Sequence, residues 1–191
     1  MRIAIYCGSA SGRDPIYIET AREVARELHR RKLGVVYGGA SVGTMGALAD
    51  ESVKLGNEII GVLPRRLQAR EMGHQGLTQL HIVEDMHQRK MMMMNLADGF
   101  ITLPGGTGTL EELFEAWTWA QLGLHPKPCA VLNLRGYYDG LLSFLRFTAQ
   151  EGFTKGDGLP SLLVSASLTD LLDQMASHIP PQPRWALPKS S

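Results

Sequence analysis

Short apolar runs alternate with longer stretches in which apolar residues recur every three or four positions, from one end of the chain to the other. The short runs predict strands over Arg2–Cys7, Gly34–Tyr37, Glu58–Leu63, Gln79–Val83, Gly99–Leu103 and Cys129–Leu132. The longer stretches predict helices over Ile16–Arg31, Thr44–Leu55, Met86–Ala97, Thr109–Leu122, Tyr138–Glu151 and Leu168–Ser177. Regular alternation of the two implies a parallel sheet with helices on both faces: an α/β, Rossmann-like doubly wound fold, one domain over residues 1–179. The Pro-rich tail, 180–191, is expected to be loosely ordered. Ligands of such folds sit beyond the carboxyl ends of the strands, so the loops that follow strands are where chemistry is expected.

Composition narrows the field. The 191 residues suffice for one domain with a sizeable core. The 19 Lys and Arg balance 19 Asp and Glu, so no basic surplus argues for nucleic acid. No apolar run approaches the ~18 residues of a membrane span. The N-terminus enters a strand at once, with no signal-peptide pattern, and a cytoplasmic location is expected. Cys7 and Cys129 read as small buried hydrophobes of a reducing compartment. With no Cys-x-x-Cys and no His-x-x-x-His, a dedicated metal site is not expected.

The richest loop is Leu103-Pro104-Gly105-Gly106-Thr107-Gly108-Thr109-Leu110-Glu111-Glu112, between a strand and a helix. Glycines there let the backbone approach a phosphate, and amides at a helix start face the anion. A dinucleotide fingerprint would place a third glycine where Glu111 stands. Acids near such a cradle have a bland reading, a favourable interaction with the helix dipole of about 0.3–1 kcal/mol each. That suits Glu115 better than Glu111 and Glu112, which stand where the anion itself would sit.

Two further loops fall on the same edge. Cys7-Gly8-Ser9-Ala10-Ser11-Gly12 is either an amide-rich rim that meets a nucleotide, with Gly8 and Ser9 foremost, or an ordinary strand-to-helix turn. The stretch Tyr37–Gly46, with Gly38, Gly39 and Gly43, favours backbone contact with a ligand over a crossover that needs glycine for packing. It is no Walker loop, since no lysine follows Gly43. The polar segment Pro64–Thr78 is long for this fold and reads as a substrate wall or a surface excursion. Asp85 is a candidate N-cap for a helix that carries Arg89 and Lys90 early, where cations oppose the dipole and an anion would justify them. Met91–Met94 suit burial in a core or a subunit interface.

Two motifs stand together: Pro104-Gly105-Gly106-Thr107-Gly108-Thr109-Leu110-Glu111-Glu112, matching Pro-Gly-Gly-x-Gly-Thr-x-x-Glu, and Met86-His87-Gln88-Arg89-Lys90, matching Met-His-x-Arg-Lys. With Tyr37-Gly38-Gly39 and Trp119-Ala120-Gln121-Leu122-Gly123, the chain over about 1–178 resembles the Lonely Guy (LOG) family, cytokinin riboside 5′-monophosphate phosphoribohydrolases often mislabelled lysine decarboxylases. The resemblance implies a Rossmann-like homodimer that hydrolyses the N-glycosidic bond of N6-modified AMP, and of AMP itself as a further candidate, to the free base and ribose 5-phosphate. Its partner is then a nucleoside 5′-monophosphate, with no nucleic acid, membrane, metal or cofactor. It implies Arg89 and Glu112 as catalytic residues. It implies Glu71, Lys90, the loop Gly106, Thr107, Gly108, Thr109, Leu110, Glu111, and Thr118 as nucleotide contacts. Ala40 and Met91 depart from common family residues and bear on substrate preference more than on reaction type.

Other readings remain open at this level. A non-catalytic nucleotide sensor or cofactor carrier has the same fold and loop. A lysine decarboxylase would need pyridoxal phosphate and a lysine in a persuasive setting, and a single-strand DNA binder would need a basic stripe.

Overall fold

Every predicted strand forms, and a seventh follows them. The computed structural model describes residues 1–68, 72–154, 159 and 161–180. Its strands are β1 (Arg2–Tyr6), β2 (Gly34–Tyr37), β3 (Ile59–Pro64), β4 (Gln79–Val83), β5 (Gly99–Thr102), β6 (Cys129–Leu132) and β7 (Leu162–Ser165). All pair in parallel, in the order β4-β3-β2-β1-β5-β6-β7. The helices are α1 (Ile16–Arg30), α2 (Gly43–Lys54), α3 (Met86–Leu96), α4 (Thr107–Gln121), α5 (Asp139–Gln150) and α6 (Leu168–Ala176). Predicted ends shift by one or two residues. The expectation for the tail falls on 181–191, outside the described residues apart from Pro180.

Both faces of the sheet are covered, which is why its strands read as near-continuous apolar runs rather than as an alternation. In β1, Ile3 and Ile5 point into one core layer with α1, α2 and α6. Ala4 and Tyr6 point into the other, with α3, α4 and α5. α1 shows the sequence logic: Ala21, Val24 and Leu28 recur at helical spacing and are fully buried. The expected cap at Asp85 forms, and Ser167 caps α6. Asp85 accepts a hydrogen bond from the Gln88 amide at 2.8 Å, and Ser167 accepts one from the Asp170 amide at 3.4 Å.

Strand order positions the site. The chain begins at the centre of the sheet with β1, steps outward to β4, then returns by α3 to lay β5 on the other side of β1. The loops leaving β1 and β5 therefore diverge to opposite faces. The crevice between them is the topological switch point at which such folds bind ligands.

Candidate active site

The loop after β1 is held by the start of α2. Thr44 Oγ1 accepts from the Gly8 amide at 2.9 Å and donates to the Gly8 carbonyl at 2.9 Å. The Met45 amide adds a bond to that carbonyl at 3.3 Å. Gly43, at φ +61°, packs so closely that a Cβ would lie 2.4 Å from the carbonyl carbon of Ser9.

On the other side of the crevice, β5 turns through Pro104 and Gly105 into α4. The N-cap is Gly106, with no side-chain cap. The first intrahelical bond runs from the Leu110 amide to the Gly106 carbonyl at 3.1 Å. The amides of Thr107, Gly108 and Thr109 come before it and project from the helix start, where the dipole favours an anion. Gly105 answers to packing, since a Cβ would lie 2.2 Å from Thr109 Oγ1. Gly106 and Gly108 do not: a Cβ at either meets nothing within 4 Å, and neither has a positive φ. Bare backbone in open space fits the close approach of a ligand.

Two buried charged side chains complete the cleft. Arg89, on α3, is 6 % exposed. Its Nη2 donates to the Gly38 carbonyl at 3.2 Å, and Nη1 lies 3.8 Å from Met86 Sδ. Its buried Nε has no partner among the described residues. Glu112, 8 % exposed, comes from the second turn of α4, on the helix face that also buries Leu113 and Ala116. Both line one cleft of about 230 Å³ with Gly8, Ser9, Met45, Met86 and the Gly106–Thr109 backbone. A buried carboxylate is costly unless compensated, and the Arg89 guanidinium and the start of α4 share its cleft. Burial first, and then the Glu112 carboxylate, push the Tyr6 phenol well above its ordinary range. Burial likewise pushes the Cys7 thiol, on the cleft wall, up to about 12.

A second lobe of about 240 Å³ adjoins the first across Gly8, Ser9 and Gly106. Its wall is the Gly8–Gly12 loop and the rings of Tyr17 and Tyr137, edge to face at 5.7 Å. Tyr137 also donates to the Gly105 carbonyl at 2.9 Å, which steadies the turn before α4.

The residues named from sequence thus divide. Arg89, Glu112, Gly8, Ser9, Gly106, Thr107, Gly108 and Thr109 converge on the cleft. Gly38 lies beneath the Arg89 guanidinium. Gly39, at φ +79°, accepts from the His74 amide at 3.1 Å and packs on Leu63 and Leu80. Leu110 is half-buried, and Thr118 is exposed; neither lines either lobe. Lys90 and Glu111 pair with each other. Glu71 lies outside the described residues. Sequence reasoning gave no role to Thr44, Met45, Met86 or Tyr137. Of these only Met86 carried a signal, as the first residue of the Met-His-x-Arg-Lys motif.

A family model described as possible lysine decarboxylase matches residues 45–175. The chain is 49 % identical over 152 residues to the cytokinin riboside 5′-monophosphate phosphoribohydrolase of Rhodococcoides fascians, spanning 79 % of this chain and 77 % of that protein. It is 41 % identical over 189 residues to an enzyme of the same name from Arabidopsis thaliana, spanning 99 % of this chain and 89 % of that one. Among solved structures, the molybdenum cofactor carrier protein of Chlamydomonas reinhardtii is similar, with a TM-score of 0.68 over 93 % of this chain and 98 % of that one. At 16 % identity, that likeness concerns the fold alone.

Proposed function

Since this chain belongs to the Lonely Guy (LOG) family of cytokinin riboside 5′-monophosphate phosphoribohydrolases, we propose that it hydrolyses the N-glycosidic bond of N6-modified AMP, releasing the free base and ribose 5-phosphate. The observation that carries this reading is the convergence of a buried carboxylate, Glu112, and a buried guanidinium, Arg89, at the uncapped start of a helix.

The 5′-phosphate sits on the amides of Thr107, Gly108 and Thr109, with the Gly8–Ser9 backbone on the opposite wall. Fixing the phosphate holds the ribose over Glu112, and positioning of this kind can supply several kcal/mol of the barrier, about 7–11 in well-oriented cases. As the C1′–N bond breaks, its electron pair leaves with the base and positive charge spreads over C1′ and the ring oxygen. The Glu112 carboxylate stabilises that charge and takes a proton from the attacking water. The water oxygen bonds to C1′, and the base nitrogen takes up a proton. The two hydrogens of water thus end on the sugar hydroxyl and on the base. Arg89, seated on the Gly38 carbonyl with Nε unpartnered among the described residues, brings a positive charge into the same cleft and offers a donor to the bound nucleotide.

A carrier on the same fold gains nothing from a buried acid beside its anion cradle, which is why Glu112 favours the enzyme. Product chromatography tests the choice, with isopentenyladenosine monophosphate and AMP as substrates. Wild type should release free base, and Glu112→Gln should bind AMP yet turn over about 10²–10⁴-fold more slowly. Binding of both nucleotides without cleavage by wild type would put the carrier reading first.

A further inference from the structure

We propose that Tyr137 and Tyr138 are positioning residues that hold the phosphate cradle in shape before its ligand arrives, by pinning the turn that leads into it. The proposal deepens the hydrolase reading, and its consequence for phosphate binding rests on that reading. β5 ends at Thr102 and α4 starts at Thr107. Both tyrosines donate into the turn between them. The Tyr138 hydroxyl donates to the Leu103 carbonyl at 2.7 Å, and the Tyr137 hydroxyl donates to the Gly105 carbonyl at 2.9 Å. Across a trans peptide bond the carbonyl and the next amide lie in one plane and point opposite ways. Fixing the Gly105 carbonyl therefore aims the amide of Gly106, whose backbone lines both lobes.

Neighbouring tyrosines reach one turn because the segment after β6 is bent to present them. Arg135 stands at φ +47° and Gly136 at φ +74°, just before the pair. A non-glycine residue in that region persists only where its surroundings hold it. Asn133 supplies the hold: its Oδ1 accepts from the Tyr138 amide at 2.8 Å, and its Nδ2 donates to Asp139 at 2.7 Å. The two rings meet edge to face at 4.9 Å. Tyr138 is buried, and burial pushes its phenol well above the ordinary range, so it remains a donor at any physiological pH. Neither tyrosine lines the lobe that holds Arg89 and Glu112, so an effect there passes through the backbone. Tyr137 does wall the adjoining lobe, so bracing has to be told from touching.

Ribose 5-phosphate, the product that carries the phosphate, is the probe. Its affinity is measured by calorimetry for wild type, Tyr137→Phe and Tyr138→Phe, each variant losing one hydroxyl and keeping its ring. Binding should weaken about threefold to tenfold in each, the worth of one hydrogen bond. Backbone amide relaxation, measured by NMR without ligand, supplies the second readout. Gly105, Gly106 and Gly108 should gain motion on the ps–ns scale, while Gly99 on β5 should not change. Weaker binding with unchanged relaxation would mean that the hydroxyls touch the ligand and would overturn the brace. Wild-type affinity in both variants would overturn it too, as would loosening that reaches Gly99, the mark of general softening. Tyr138→Phe leaves the buried Leu103 carbonyl without this partner. If that variant does not fold, Tyr137→Phe, at an exposed ring, decides alone. A wild type that neither binds ribose 5-phosphate nor cleaves AMP would defeat the hydrolase reading and leave the relaxation comparison to judge the brace.

Discussion

A Cβ on Gly38 would lie 1.9 Å from Nη2 of Arg89 and 2.8 Å from Sδ of Met45. One methyl group there must push the guanidinium off the carbonyl on which it rests, while the backbone, whose φ is not positive, tolerates the change. Gly38→Ala should therefore keep its fold by circular dichroism and lose about 10²-fold in turnover, the cost of a misplacement of about 1 Å. Cys7 makes the opposite case. Its thiol is on the cleft wall, but burial holds it protonated far above neutral pH, so it is neither nucleophile nor base. Alkylating reagents at pH 7 should leave activity intact, and loss in step with labelling of Cys7 would contradict this. At this scale the sequence was legible where a motif names its own residues, as with Arg89 and Glu112. It was silent on the seat of Arg89, because Gly38 is brought beneath it only by the tertiary fold. It was silent too on which of Glu111 and Glu112 the core would cover, since that depends on what packs against α4.

At the scale of elements, α1 shows how charges dock a helix. Glu27 bridges Arg30 at 2.5 Å and Arg31 at 2.7 Å, and Arg31 reaches Asp173 of α6 at 2.6 Å. Arg30, and then Arg31, hold the Glu27 carboxyl down to about 2. A folded pKa below the unfolded value means the stabilisation is complete above about pH 4.3 and is lost as pH falls through about 2. Arg30 is well exposed, so solvent screening keeps the stabilisation small. Glu27→Gln should melt a few degrees below wild type at pH 7, and the gap should close between about pH 4.3 and pH 2. A gap that persists at pH 2 would point to packing rather than charge. The cap at Asp85 was legible because it is local. β7 was not: four residues, Leu162–Ser165, are too few to show a period, and what makes them a strand is pairing with β6.

For the whole molecule, β7 and α6 close one end of the sheet. Leu171, Leu172 and Met175 are buried in the layer shared with α1 and α2, and Leu162 is buried in the other. Burial of each is worth about 1.5–3 kcal/mol, against a total stability of about 5–15 kcal/mol. A chain ending at Ser161 should show no cooperative melt; a sigmoidal transition near that of wild type would make these elements an accessory. The alternation of elements gave away the architecture, since each helix and strand declares itself locally. Which loops face one another follows from strand order, and that order is fixed by pairings between residues far apart in the chain.

The return of α3 across the sheet has one more consequence. The strands β1–β4 build one wing, and β5–β7 build the other, with β1 and β5 as the seam. The guanidinium belongs to the first wing; the carboxylate and the anion cradle belong to the second. Neither piece of chain is a weaker version of the enzyme, for each lacks what the other brings. Cut at that seam, the protein would become a two-part lock in which chemistry reports that the parts have met.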